Sequence, residues 1–91
     1  MYDIVYTNRF KKSLKKCAKR KEFDRQSLQD VVDLLQNECV LPQRYRAHIL
    51  SGTYEGIWEC HVQSDLLLLW NRNDTDHTLE FIDIGTHSEV F

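Results

Sequence analysis

At 91 residues the chain has the length of one domain, residues 1–91, and a domain so short removes only about two thirds of its unfolded surface from water. With 42% hydrophobic and 29% charged residues, one proline and three glycines, the composition excludes a disordered or fibrous chain. The net charge of −2 hides an uneven division: Met1 to Arg25 carries nine Lys and Arg against three acids, a net of +6, and the remainder sums to −8. A segment this basic can hold a polyanion, with binding that weakens steeply in salt; the alternative is a solvated helix face paired with the protein's own acidic half.

No apolar run approaches the roughly 20 residues needed to cross a bilayer. The start Met1-Tyr2-Asp3-Ile4 lacks the basic-then-apolar layout of a signal peptide, so a cytoplasmic location and no membrane contact are expected. Cys17, Cys39 and Cys60 are odd in number and widely spaced, which suggests reduced, inert thiols and neither a disulfide framework nor a zinc knuckle.

In chain order, Tyr2, Ile4 and Tyr6 alternate with Asp3 and Val5 and predict a short strand. Thr7 or Asn8 then caps a helix in which Phe10, Leu14, Cys17 and Ala18 form the apolar stripe and lysines fill the outer face. Asp24 or Ser27 opens a second helix that buries Leu28, Val31, Val32, Leu34 and Leu35 and ends near Asn37. Pro42 forbids continuation, which leaves Arg44, Tyr45 and Arg46 on a loop suited to nucleic-acid contact.

Beyond Gly52 the period becomes two. From Ile57 to Gln63, Trp58, Cys60 and Val62 share one face, while Glu59 and His61 share the other, more open one. Leu66 to Trp70 is apolar on both faces and reads as a central strand, Asn71 to His77 as a polar turn with His77 in solvent, and Thr78 to Ile84 as the returning strand. The order β-α-α-β-β-β predicts an α+β fold: an N-terminal strand, two helices, then antiparallel strands in one sheet packed on the helices.

His48, His61 and His87 are the histidines of interest. Imidazole exchanges protons near neutrality, so several of them with a carboxylate such as Asp65 suit acid–base chemistry; taken singly, each is as readily structural.

Three motifs occur in order: His48-Ile49-Leu50-Ser51-Gly52 as H-x-L-x-G, His61-Val62-Gln63-Ser64-Asp65 as H-V-x-x-D, and Gly85-Thr86-His87-Ser88-Glu89-Val90-Phe91 as G-[ST]-H-S-x-x-F. Together with the basic first helix, they resemble the YafQ branch of the RelE/ParE toxin superfamily over nearly the whole chain. The resemblance implies a RelE-like fold and the toxin of a type II toxin–antitoxin system. It further implies a ribosome-dependent endoribonuclease that cuts mRNA in the ribosomal A site and is silenced by a cognate antitoxin in a heteromeric complex. An RNA strand carries its own nucleophile, the 2′-OH, so the expected chemistry is acid–base catalysis with no metal and no cofactor.

Carried over residue by residue, the family's catalytic positions fall on His48, His61, Asp65 and His87, with His87 and His48 as the expected proton-transfer pair. Lys11, Lys12, Lys15, Lys16, Lys19, Arg44, Arg46, Arg72 and Phe91 are the expected contacts to messenger and ribosomal RNA, Phe91 by stacking on a base. Two positions depart from the family pattern. Leu66 stands where a tryptophan is expected, and Asp83 stands where an arginine suited to phosphate stabilisation is expected; Arg44, Arg46 and Arg72 are the candidate replacement cations. Rival functions are a ParE-like toxin that binds DNA gyrase, a metalloprotein using His48, His61, His87 and Asp65 as ligands, and a weakly catalytic module that acts by binding its antitoxin.

Overall fold

A computed structural model describes all 91 residues as β1 (Asp3–Tyr6), α1 (Asn8–Ala18), α2 (Arg25–Gln36), β2 (His48–Ile49), β3 (Trp58–Gln63), β4 (Leu66–Asn73), β5 (Thr78–Gly85) and α3 (His87–Val90). The five strands form one sheet in the order β1-β5-β4-β3-β2. The expected α+β architecture is present, with one refinement. Strands β2 to β5 run antiparallel to their neighbours, whereas β1 pairs parallel to β5, from Asp3 opposite Thr78 to Tyr6 opposite Phe81, so the sheet is mixed.

Local signals account for the helix starts. Thr7 has extended backbone and its hydroxyl oxygen accepts the Phe10 N–H at 3.1 Å, satisfying one of α1's free donors. Asp24, and not Ser27, caps α2, accepting from the backbone of Gln26 and Ser27 and from the Ser27 hydroxyl. Both helices pack on one face of the sheet. There Phe10, Cys17, Leu28 and Val31 meet Cys60, Val62, Leu66, Leu68, Trp70, Leu79, Phe81 and Ile84 in the main core.

On the other face, Leu67 and Leu69 are covered by Val90 of α3, with Leu50, Ile57 and Ile82 around them. That is why Leu66 to Trp70 is apolar at every position: β4 is buried on both sides. Its run extends three residues further than the sequence predicts. Asn71, Arg72 and Asn73 pair with Glu80, Leu79 and Thr78, so backbone hydrogen bonds to β5 hold polar residues in strand geometry and the turn shrinks to Asp74–His77. His77 is not simply solvated. Its ring stacks on Tyr2 at 4.3 Å and its Nε2 lies 3.2 Å from Glu38, which also binds the N-terminal ammonium.

The C-terminus is fastened by α3. Thr86 and Glu89 form a reciprocal capping box, and Val90 is 1% exposed. Gly85 permits the close fold-back, since a Cβ there would sit 3.2 Å from Glu89 Cβ and 3.3 Å from Val90. Lys16 of α1 and Arg20, just past the end of that helix, both bind the Glu89 carboxylate, Lys16 at 3.1 Å. The Arg20 guanidinium, followed by the Thr86 backbone N–H, holds this carboxyl far below the usual carboxylate range. A lowered acid pKa stabilises the fold fully above the ordinary Glu value of about 4.3, and that contribution fades as pH falls below it. Urea unfolding should therefore find a stability gap between wild type and Glu89→Gln at neutral pH that narrows toward about pH 2; a gap independent of pH would contradict the assignment.

Candidate active site

The face of the sheet away from α1 and α2 carries most of the predicted residues. Along β3, Trp58, Cys60 and Val62 join the main core, which turns Glu59 and His61 to the opposite side, as the alternation predicts. Strand β2, only two residues long, places His48 directly opposite Glu59. The His48 Nε2 lies 3.4 Å from Glu59 Oε1, and its Nδ1–H donates to the Arg46 carbonyl at 2.8 Å. Arg46 adopts a left-handed backbone, φ 51°, at the turn that delivers this carbonyl.

Glu59 is 5% exposed while His48 is exposed. A buried carboxylate thus fixes an accessible imidazole from one side and a backbone carbonyl fixes it from the other, leaving the ring oriented and its Nε2 able to hold or release a proton.

His61 sits opposite Leu67, next along the same face by alternation, and lines an open cavity of about 410 Å³ that reaches the α2 side of the sheet edge, with Ser27 and Asp30 of α2, Arg44 and Tyr45. Arg44 is tied to Tyr45, its Nη2 donating to the phenol oxygen at 3.0 Å. Asp65 occupies the β3–β4 turn with φ 49°, and its Oδ1 accepts the His87 backbone N–H at 3.3 Å. This places a carboxylate at the start of α3 and fixes where His87 emerges. The His87 ring packs on Phe91 at 5.1 Å, and Phe91 meets Tyr54 edge-on at 5.3 Å, forming an exposed aromatic rim.

Asp65 and His87 are therefore brought into contact, and His48 and His61 share a face. No hydrogen bond or ion pair joins any two of the three histidines. No three His, Cys, Asp or Glu side chains are grouped so as to hold a metal ion.

Of the predicted RNA contacts, Lys11, Lys12, Lys15 and Lys19 are exposed on α1 with no acidic partner, while Lys16 is bound to Glu89. Four lysines of the basic segment are thus left unpaired, while Arg9, Lys16 and Arg20 are paired with Asp83 and Glu89 of the acidic half. Arg46 is exposed beside His48. Arg72 lies elsewhere: β4 alternation puts it on the helix-side face, over the Trp58 ring at 5.6 Å and bound to Asp74 at 3.3 Å, away from the histidines. Asp83 is 3% exposed and paired with Arg9.

Three neighbours of the predicted residues were not singled out in the sequence. Glu59 was visible on the open face, but its pairing with His48 required β2, too short to show a period. Tyr54 and Arg9 carried no local signal. Cysteine chemistry does not intrude, since burial pushes the Cys60 thiol up to about 12 and also raises that of Cys17.

Residues 2–91 match the family described as the bacterial toxin of type II toxin–antitoxin systems, YafQ. The mRNA interferase toxin YafQ of Escherichia coli K12 is 34% identical over 90 residues, spanning 98% of this chain and 95% of that protein. A metal-bound toxin from Helicobacter pylori superposes with a TM-score of 0.90 at 36% identity, covering 100% of both chains. In the E. coli DinJ–YafQ complex the similar chain has a TM-score of 0.86 at 32% identity, covering 100% of this chain and 99% of its own. With sequence and fold in agreement from end to end, the chain belongs to the YafQ family of toxins of bacterial type II toxin–antitoxin systems.

Proposed function

We propose that this toxin is a ribosome-dependent endoribonuclease that cuts messenger RNA in the A site by metal-independent acid–base catalysis. The observation that carries the reading is the oriented, exposed His48, held by buried Glu59 on the face that also bears His61, with His87 at the rim beside Asp65. The curated E. coli relative is named an mRNA interferase, which supports the same substrate class.

The 2′-oxygen attacks the adjacent phosphorus as a base takes its proton; a new O–P bond forms, the P–O5′ bond breaks, and an acid protonates the leaving 5′-oxygen. The products are a 2′,3′-cyclic phosphate and a 5′-OH. His48 and His87 act as the proton-transfer pair, with Asp65 positioning His87 through its backbone and His61 flanking the reacting phosphate. Lys11, Lys12, Lys15 and Lys19 track messenger or ribosomal RNA, Arg44 and Arg46 flank the site, and Phe91 with Tyr54 offers a stacking surface for a base. Arg72, on the other face, is not part of this set.

The cognate partner is an antitoxin in a heteromeric complex, as DinJ is for the E. coli protein, and the place of action is the bacterial cytoplasm. The test is purified toxin, treated with chelator and then freed of it, added to message programmed on ribosomes, with analysis of the new ends. Cyclic phosphate and 5′-OH ends, formed as fast as by untreated toxin, are expected. Ends bearing a 5′-phosphate, or cleavage lost when the toxin is stripped of metal, would contradict the mechanism.

A further inference from the structure

The position where the family pattern expects a cation holds Asp83, buried and acidic, and the surrounding geometry points to Arg9 as the group that supplies the phosphate-binding charge from another element. We infer that Arg9, pinned by Asp83, contacts the scissile phosphate; the inference rests on the endoribonuclease reading above.

Asp83 accepts Arg9 Nε at 3.0 Å and Nη2 at 2.8 Å on its Oδ2, and its Oδ1 accepts the Ile84 backbone N–H at 2.9 Å, so both carboxylate oxygens are occupied. A guanidinium has five N–H donors, of which Asp83 takes two. The Arg9 side chain is 54% exposed, so the remaining donors face solvent from a fixed base. Such a cation is preorganised: it need not be ordered when charge develops on a phosphorane.

Three placements direct it to the site. Strand register aligns Asp83, Leu69, Glu59 and His48 in one row across β5, β4, β3 and β2, with Gly85, Leu67 and His61 in the next row. At about 4.8 Å per strand, Asp83 and Glu59 lie roughly 10 Å apart along the row, within the span of an arginine and a phosphodiester. The register skips Ile82, a bulge that re-aims the neighbouring side chain. Thr7 clamps the start of α1 to this bulge, its hydroxyl donating to the Phe81 carbonyl at 2.8 Å, and Arg9 follows two residues later. Finally, Arg9 and Lys16 lie seven residues apart on one stripe of α1, and Lys16, with Arg20 just past the end of the helix, binds α3, the helix that begins with His87.

The other cations are less suited. Arg72 is on the opposite face, Arg44 is bound to Tyr45, and Arg46 lacks any partner to fix it. Arg9 was not among the replacements that the sequence suggested.

The test measures single-turnover cleavage of message on ribosomes, with melting curves for each variant. Arg9→Ala is expected to lower the rate by about 10²–10³-fold with little change in ribosome affinity, the size seen when one transition-state donor is removed. Because that change strands a buried carboxylate, Arg9→Gln with Asp83→Asn provides a neutral, hydrogen-bonded pair that should fold and show the same loss. The exchange of the two residues, Arg9→Asp with Asp83→Arg, should restore cleavage to within about tenfold of wild type. Wild-type rates in the folded neutral pair would overturn the inference. Absence of cleavage by wild type would instead remove the endoribonuclease reading, and this inference with it.

Discussion

Replacing His87 with alanine is expected to lower RNA cleavage by about 10²–10⁴-fold, the usual contribution of a positioned acid or base. The same change should leave the fold intact. The His87 side chain is exposed and its ring meets only Phe91, while α3 is held by Val90 in the core, by the capping box and by Asp65 on the His87 backbone N–H, which alanine retains. As a surface change it should move the melting temperature by no more than about 4 °C. Cleavage within threefold of wild type in the folded variant would remove His87 from the proton-transfer pair. Loss of both cleavage and folding would mean that the ring supports α3 in a way its contacts do not indicate.

The largest effect on stability is expected from Phe81→Ala. Phe81 is 0% exposed and stands where the layers meet: its ring packs on Phe10 of α1 at 5.4 Å and on Tyr6 of β1 at 5.6 Å. In register it joins β1 to β4 through Tyr6 and Trp70. Truncating such a side chain loses its transfer free energy and leaves a cavity, about 3–5 kcal/mol together. A small domain has only about 5–15 kcal/mol in total, so the variant should be largely unfolded at modest urea. It would also loosen the anchor of α1, because Phe10 of that helix packs on the ring that is removed. Urea titration of wild type and variant measures the difference; a loss under about 1 kcal/mol would show that the ring is not the junction described.

Periodicity carried most of the fold. The α1 stripe of Phe10, Leu14 and Cys17, the α2 stripe of Leu28 and Val31, and the Trp58-Cys60-Val62 alternation each state one burial direction over enough residues to be read locally. What escaped was short or non-local. Strand β2 has two residues and α3 has four, too few for any period, yet they position His48 and His87. The parallel pairing of β1 with β5 joins segments more than seventy residues apart, and nothing in either segment announces its direction. Polar Asn71 to Asn73 read as turn because propensity is local, while the β5 ladder that keeps them extended is not.

The candidate site divides along the same line. The residues proposed to take part come from the ordered motifs, whereas Glu59 behind His48 and Arg9 on Asp83 are products of strand register and helix docking. The departure at Asp83 reads in sequence as a missing arginine; in the fold it is half of an ion pair.

The most direct measurement induces the wild-type toxin and a His48→Ala variant in a bacterium and maps RNA 5′ ends across the transcriptome. New ends confined to translated reading frames, in wild type alone, are the predicted result. Growth arrest by wild type with no new RNA ends would contradict the account and favour a toxin that acts by binding.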